Sequence, residues 1–245
     1  MGNPKTVMIT GAARRLGAEQ VKHLHHSGMN IILHYRNSEK EATSLADSLN
    51  TIRSNSVKLL QGDLKNYARI PDLIKQAVSL FNGIDVLINN ASSFYPTHLN
   101  EINDDIWEDL IGVNLKAPMF LIQAIAPHLN STKGCIINIV DIHADRPLKD
   151  YPVYCIAKAG LAMLTKSMAR ELAPNIRVNG ISPGAIMWPE IEHYESMHQE
   201  IISRTALKRE GEPKNIADTA IFLIQHANYI TGQIIAVDGG RTLSN

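Results

Sequence analysis

Thr6-Val7-Met8-Ile9-Thr10-Gly11-Ala12-Ala13-Arg14-Arg15-Leu16-Gly17 passes from an apolar β-branched run, through a turn of small residues, into a segment with helical spacing. Backbone N–H groups in such a turn can approach a pyrophosphate, and the positive end of the following helix dipole adds attraction. An ordinary strand-to-helix turn has the same local look, so the weight falls on the rest of the chain. Working outward, apolar β-branched runs recur near residues 30 (NIILHY), 56 (SVKLLQ), 84 (IDVLIN), 135 (CIINIV), 176 (IRVNGIS) and 234 (IIAVDG). Helical spacing fills residues 17–28, 38–50, 66–82, 103–128, 152–173 and 213–226, with Ser38 and Glu41 spaced as a capping box. Strand and helix alternating in this way predict an α/β fold: a Rossmann-like, doubly wound, seven-stranded parallel sheet with helices on both faces.

Composition agrees with one globular unit over 1–245, because 44% hydrophobic residues can cover both faces of a parallel sheet. Lys plus Arg balances Asp plus Glu at 24 each, which gives no net field for a nucleic-acid partner or an acidic membrane. Cys135 and Cys155 lack CxxC spacing, so neither a disulfide framework nor a metal site is expected. Without a leader pattern or an apolar run judged long enough for a bilayer, the expected setting is cytoplasmic. The least regular stretch, about 184–204, comes after the sixth strand and contains Trp188; a substrate lid is expected there.

The ends of successive strands carry the candidate binding residues, since open α/β sheets bind ligands beyond their carboxyl edges. Gly11, Arg15, Leu16 and Gly17 form the first turn. The second strand ends in His34-Tyr35-Arg36-Asn37-Ser38, offering an arginine and small donors where an NAD enzyme would place an acid for the ribose hydroxyls. That favours a 2′-phosphate and hence NADPH, although Ser38 also suits a helix cap and His34 also suits strand packing. Asp63 and Leu64 come after the third strand, with Asp63 either receiving an adenine amino group or capping a helix. Asn90, Ala91 and Ser92 come after the fourth, as room for a nucleotide or as an Asx turn.

Tyr154 and Lys158 lie four apart on one helix and project from one face. An ammonium there favours the phenolate and brings the phenol toward useful proton-transfer acidity. Asp141 ends the fifth strand thirteen positions earlier and can return to the tyrosine, where its charge opposes the lysine. Asn114, in the long fourth helix, either orders a water toward Lys158 or back-bonds locally.

Taken together, TGAARRLG, the Asn89-Asn90-Ala91 run, Asn114, the YxxxK pair, Ser182-Pro183-Gly184 and Val237-Asp238-Gly239-Gly240 resemble the short-chain dehydrogenase/reductase family over the whole chain. Two departures stand out. Arg15 replaces the middle glycine of the usual TGxxxGxG, and Asp141 stands where a serine ordinarily precedes the tyrosine motif. With Asn90-Ala91-Ser92-Ser93-Phe94-Tyr95-Pro96, these features resemble the pteridine reductases within that family.

The resemblance implies a pterin or folate substrate, Phe94 stacked on the pterin, Ser92 on its edge and Arg15 near pterin and phosphates. It further implies a proton from Asp141 with Tyr154, Lys158 on the ribose, Pro183 and Gly184 beside the dinucleotide, and a homotetramer. Trp188 would close over the pterin or serve an interface. A 3-oxoacyl-type carbonyl reductase and a non-catalytic NADPH-binding regulator are the competing readings.

Overall fold

The computed structural model describes residues 4–187 and 194–243. Seven strands, β1 (Thr6–Ile9), β2 (Asn30–Tyr35), β3 (Val57–Gln61), β4 (Val86–Asn89), β5 (Cys135–Ile139), β6 (Arg177–Pro183) and β7 (Ile234–Val237), form one sheet. All pair in parallel, in the order β3-β2-β1-β4-β5-β6-β7. The helices are α1 (Arg15–His26), α2 (Glu39–Ile52), α3 (Ile70–Phe81), α4 (Asp104–Ile111), α5 (Ala117–Thr132), α6 (Pro152–Glu171), α7 (Tyr194–Ser203) and α8 (Pro213–Gln225).

Strand side chains alternate between the two faces, and both faces are apolar. Val7 and Ile9 join Val21 and Leu24 of α1, Leu45 and Leu49 of α2, and Leu223 of α8 in one core. Met8, between them in sequence, joins Ile74 of α3 and Leu121 and Ile125 of α5 in the other. Each such side chain, fully buried, stabilises by about 1.5–3 kcal/mol, so both layers are held by β1 alone as much as by any strand. Strand order reverses between β1 and β4, which places a crevice at their carboxyl ends.

Three expectations are corrected. The helix expected over 103–128 is divided: α4 passes through a π-helical turn, Gly112–Lys116, into α5. Pro118 accounts for it, because a proline has no N–H to return to the carbonyl four residues back. The capping box at Ser38 does not form; Ser38 precedes α2 without a side-chain cap bond, and Glu41 turns toward Arg14, 4.0 Å away. Such a box does form at α8, between Glu212 and Asn215. Finally, the helical run Asp104–Thr132 contains an 18-residue stretch of mean hydropathy 1.4, long and apolar enough to cross a membrane by length and composition alone. Its buried side, through Leu121, Ile122, Ile125 and Leu129, packs in the second core.

Candidate active site

A cavity of about 990 Å³ opens at the crevice between β1 and β4. Its first wall is the Gly11–Gly17 turn, where close approach excludes larger residues. A Cβ on Gly11 would meet Ala91 Cα at 2.8 Å, and one on Gly17 would meet the Gly11 carbonyl oxygen at 2.5 Å. Asn90 binds the turn from the side, its Nδ2 donating to the carbonyls of Thr10 at 2.9 Å and Gly11 at 3.1 Å. Its Oδ1 accepts from Gln20 on α1. The asparagine therefore clamps the turn to β4, and its amide is engaged by protein.

His34 plays a similar part from β2. Its Nδ1 accepts from Gly11 N–H at 3.2 Å and its Nε2–H donates to the Gly62 carbonyl at 3.2 Å, which defines the tautomer. Burial pushes this imidazole down to about 4, against the opposing effect of the Gly62 bond. A neutral ring with both nitrogens engaged has none left to offer a ligand.

Arg15 opens α1 with φ +53°, a left-handed backbone that glycine adopts freely and arginine does not. The residue holding the glycine position of the family pattern thus keeps the glycine conformation, with its exposed side chain lining the cavity. Leu16, Tyr35, Arg36, Asn37, Ser38, Asp63 and Leu64 line the same cavity toward β2 and β3. Arg36 and Asn37 are exposed there, while Asp63 accepts from Lys65 N–H at 2.9 Å in an Asx-type turn. Pro183 and Gly184 close the far side, and Gly184 packs against Asp238.

The proton-bearing groups meet at the centre. Tyr154 Oη–H donates to Asp141 Oδ2 at 2.7 Å, and the other carboxylate oxygen accepts from His143 N–H at 2.9 Å. Asp141 is therefore oriented by its own short helix, Ile142–Ala144, which it caps. Lys158 Nζ donates to the Ile139 carbonyl at 2.9 Å and lies 5.6 Å from the Tyr154 ring centroid.

The balance between lysine and aspartate falls on the neutral phenol. Burial first, and then the Asp141 charge and hydrogen bond, push Tyr154 far above the ordinary tyrosine range. Burial likewise pulls Lys158 down to about 8, with Asp141 opposing. The expected lysine-driven lowering of the phenol is overridden because both groups are almost wholly withdrawn from water.

Ser92, Phe94 and Ala91 front the cavity from the segment after β4. Ser92 Oγ–H donates to Asn114 Oδ1 at 2.6 Å, and Asn114 Nδ2 donates to the carbonyls of Ser93 and Leu110, each at 2.9 Å. Asn114 therefore reaches the site through Ser92 and Ser93, and its bond to Leu110, four residues back, is the local back-bond. Phe94 stacks on Tyr151 at 4.6 Å and 14° and meets the Tyr154 ring edge-on at 4.8 Å. It is 43% exposed, a large apolar surface left at a cavity wall.

Every predicted binding and catalytic residue but two lines this cavity. Asn114 stands behind the wall, and Trp188 lies outside the described residues. The sequence reading missed Tyr151, whose place three positions before Tyr154, at the start of the same helix, was the available signal. It also missed Arg241, which reaches the rim from an element distant in sequence, where it is joined by Arg204 from the end of the 184–204 stretch.

A dinucleotide fits this wall. The close-packed glycine turn and the first N–H groups of α1 suit a diphosphate, and the exposed Arg36 stands at the β2 end where a ribose substituent would fall. Residues 11–242 match the family described as enoyl-(acyl carrier protein) reductase. The chain belongs to the short-chain dehydrogenase/reductase family, oxidoreductases that use nicotinamide cofactors. It is 36% identical to pteridine reductase 1 of Leishmania tarentolae, over 97% of this chain and 96% of that protein. It is also 33% identical to a 3-oxoacyl-(acyl-carrier-protein) reductase of Staphylococcus epidermidis, over 96% of this chain and 98% of that one. The corresponding reductase of Staphylococcus aureus is 32% identical over 96% of this chain.

Proposed function

We propose that this protein is an NADPH-dependent pterin reductase, acting on a dihydropterin or dihydrofolate-type ring. The observation that carries the reading is the Asp141 carboxylate bonded to a neutral Tyr154 hydroxyl beside an exposed Phe94 ring. NADPH, when bound, supplies the hydride. Arg36, with Asn37 and Ser38, holds the 2′-phosphate, and Lys158 orients the ribose.

A flat nitrogen heterocycle gains from an aromatic face, so the pterin lies against the uncovered surface of Phe94 while Tyr151 backs that ring. Ser92 meets the ring edge, and Arg15 adds a cation near the pterin and the diphosphate. Tyr154 holds its proton at neutral pH, since burial and the nearby carboxylate disfavour the phenolate. The Tyr154–Asp141 pair therefore presents a proton to a ring nitrogen adjoining the carbon that receives hydride. A ketone reductase instead needs its oxygen polarised, which a carboxylate opposes. Catalysis in a homotetramer on a single-domain subunit, in the cytoplasm, completes the reading.

The test is NADPH oxidation with dihydrobiopterin, dihydrofolate and an acetoacetyl ester side by side. Turnover of the pterins is expected. Turnover of the ester alone would establish the 3-oxoacyl reading in its place, and no turnover with any of them would leave a binding protein. In the same assay Asp141→Ser is expected to cut pterin kcat by about 100-fold, within the range of a lost general acid, with the KM for NADPH little changed. Undiminished kcat in that variant would remove the carboxylate from the chemistry.

A further inference from the structure

Between β4 and α4, successive side chains point to opposite sides. Ser92 and Phe94 are exposed at the cavity, whereas Ser93, which also lines it, and Tyr95, which does not, are partly buried. The second pair converges on one residue. Tyr95 Oη–H donates to Asp109 Oδ2 at 3.2 Å, and Ser93 is among the groups that draw the same carboxyl down. Lys65, just past the Asp63-Leu64 turn, closes the cluster with Nζ 2.8 Å from Asp109 Oδ1.

Burial works to raise the Asp109 carboxyl. The Lys65 ammonium and the two hydroxyls outweigh it and hold Asp109 below the usual carboxylate range. The cluster is thus an ionised acceptor that holds Tyr95, the residue following Phe94. Asn114 holds the segment on the N-terminal side of Phe94, through Ser92 and the Ser93 carbonyl, and Asp109 holds it on the C-terminal side through Tyr95, while Tyr151 and Tyr154 touch the Phe94 ring.

We infer that Asp109, fixed by Lys65, is a positioning residue for substrate, holding Tyr95 so that the adjoining Phe94 presents its ring to the cavity. This inference rests on the pterin reading for its kinetic consequence, but the anchoring itself does not. Loss of the carboxylate frees Tyr95 and leaves Phe94 held only from its N-terminal side by Asn114, so substrate binding weakens while the diphosphate turn, held by Asn90 and His34, is untouched. A neutral amide oxygen at the same position still accepts from hydroxyls, and the exposed Lys65 pair contributes little by itself.

The experiment compares Asp109→Ala, Asp109→Asn and Phe94→Ala by steady-state kinetics and by hydrogen exchange of the free protein. Asp109→Ala is expected to raise the KM for dihydrobiopterin by about tenfold while the KM for NADPH stays within about twofold, as loss of hydrogen bonds to a charged group would give. Asp109→Asn should restore most of the substrate KM. The amides of residues 92–95 and of Thr97 should exchange faster in Asp109→Ala, with α6 unchanged.

A general structural role would move both KM values together, and that outcome, or unaltered exchange at these amides, overturns the inference. So does equal impairment in the alanine and asparagine variants. If Phe94→Ala keeps a normal pterin KM while Asp109→Ala still loosens 92–97, the anchor stands and the pterin placement falls.

Discussion

Replacing Arg15 by glycine separates fold from function at one position. The arginine sits at φ +53°, a conformation costing a non-glycine residue about 1–2 kcal/mol. Glycine relieves that, but loses about 0.5–1 kcal/mol through the greater freedom of its unfolded chain. The difference leaves Arg15→Gly more stable by about 0.5–1 kcal/mol. For a chain of this size that raises Tm by about 1–4 °C.

Activity should move the other way. A cation bonded to substrate or diphosphate contributes about 1.5–3 kcal/mol, so kcat/KM for dihydrobiopterin should fall by about 10- to 100-fold. Scanning calorimetry and steady-state NADPH oxidation on one preparation read both quantities. A variant that is less stable than the parent would show that the backbone stores no strain at Arg15. Unchanged kcat/KM would show that the strained arginine serves neither ligand, since strain kept at a site needs a return in function.

The His34 clasp predicts an acid sensitivity. Its imidazole is held down to about 4 in the fold against 6.5 when free, so between those values the unfolded chain binds the extra proton and stability falls as pH drops. By pH 5 the loss should reach about 2 kcal/mol relative to pH 7, measured by urea unfolding, and His34→Asn should flatten that part of the profile. Parallel profiles for the two proteins would refute the clasp. Arg36→Asp should lower kcat/KM with NADPH by about 10- to 100-fold and raise it with NADH, because an acid can accept from ribose hydroxyls and repels a 2′-phosphate. A variant that still prefers NADPH would move the phosphate site elsewhere.

The features legible from sequence share a physical basis. Val7 and Ile9 against Met8 show that β1 is apolar on both faces, and only a sheet covered on both sides accommodates such a strand. The turn after it was legible because close backbone packing admits only glycine at positions 11 and 17. Asp141, Tyr154 and Lys158 were legible because helix periodicity and a short return loop leave few ways to separate them. By contrast, the break at Gly112–Lys116 was not legible: in that π-helical turn the Asn114 amide keeps the local back-bond to Leu110 and also reaches Ser92 and Ser93. The Ser38 cap failed for a related reason, since spacing supplies candidates for a hydrogen bond but not the backbone angles that close it.

Amino-acid order by itself determined the parallel sheet, the glycine turn and the set of strand-end residues, because these arise from side-chain period and from steric exclusion within a few residues. Only the tertiary structure decided that Tyr154 keeps its proton, that Arg15 is strained, that Tyr151 backs Phe94 and that Asp109 grips the segment holding it. Burial and close contact between distant segments set those properties. Lys65 and Asp109 lie 44 positions apart, and no local pattern carries the free energy of their meeting.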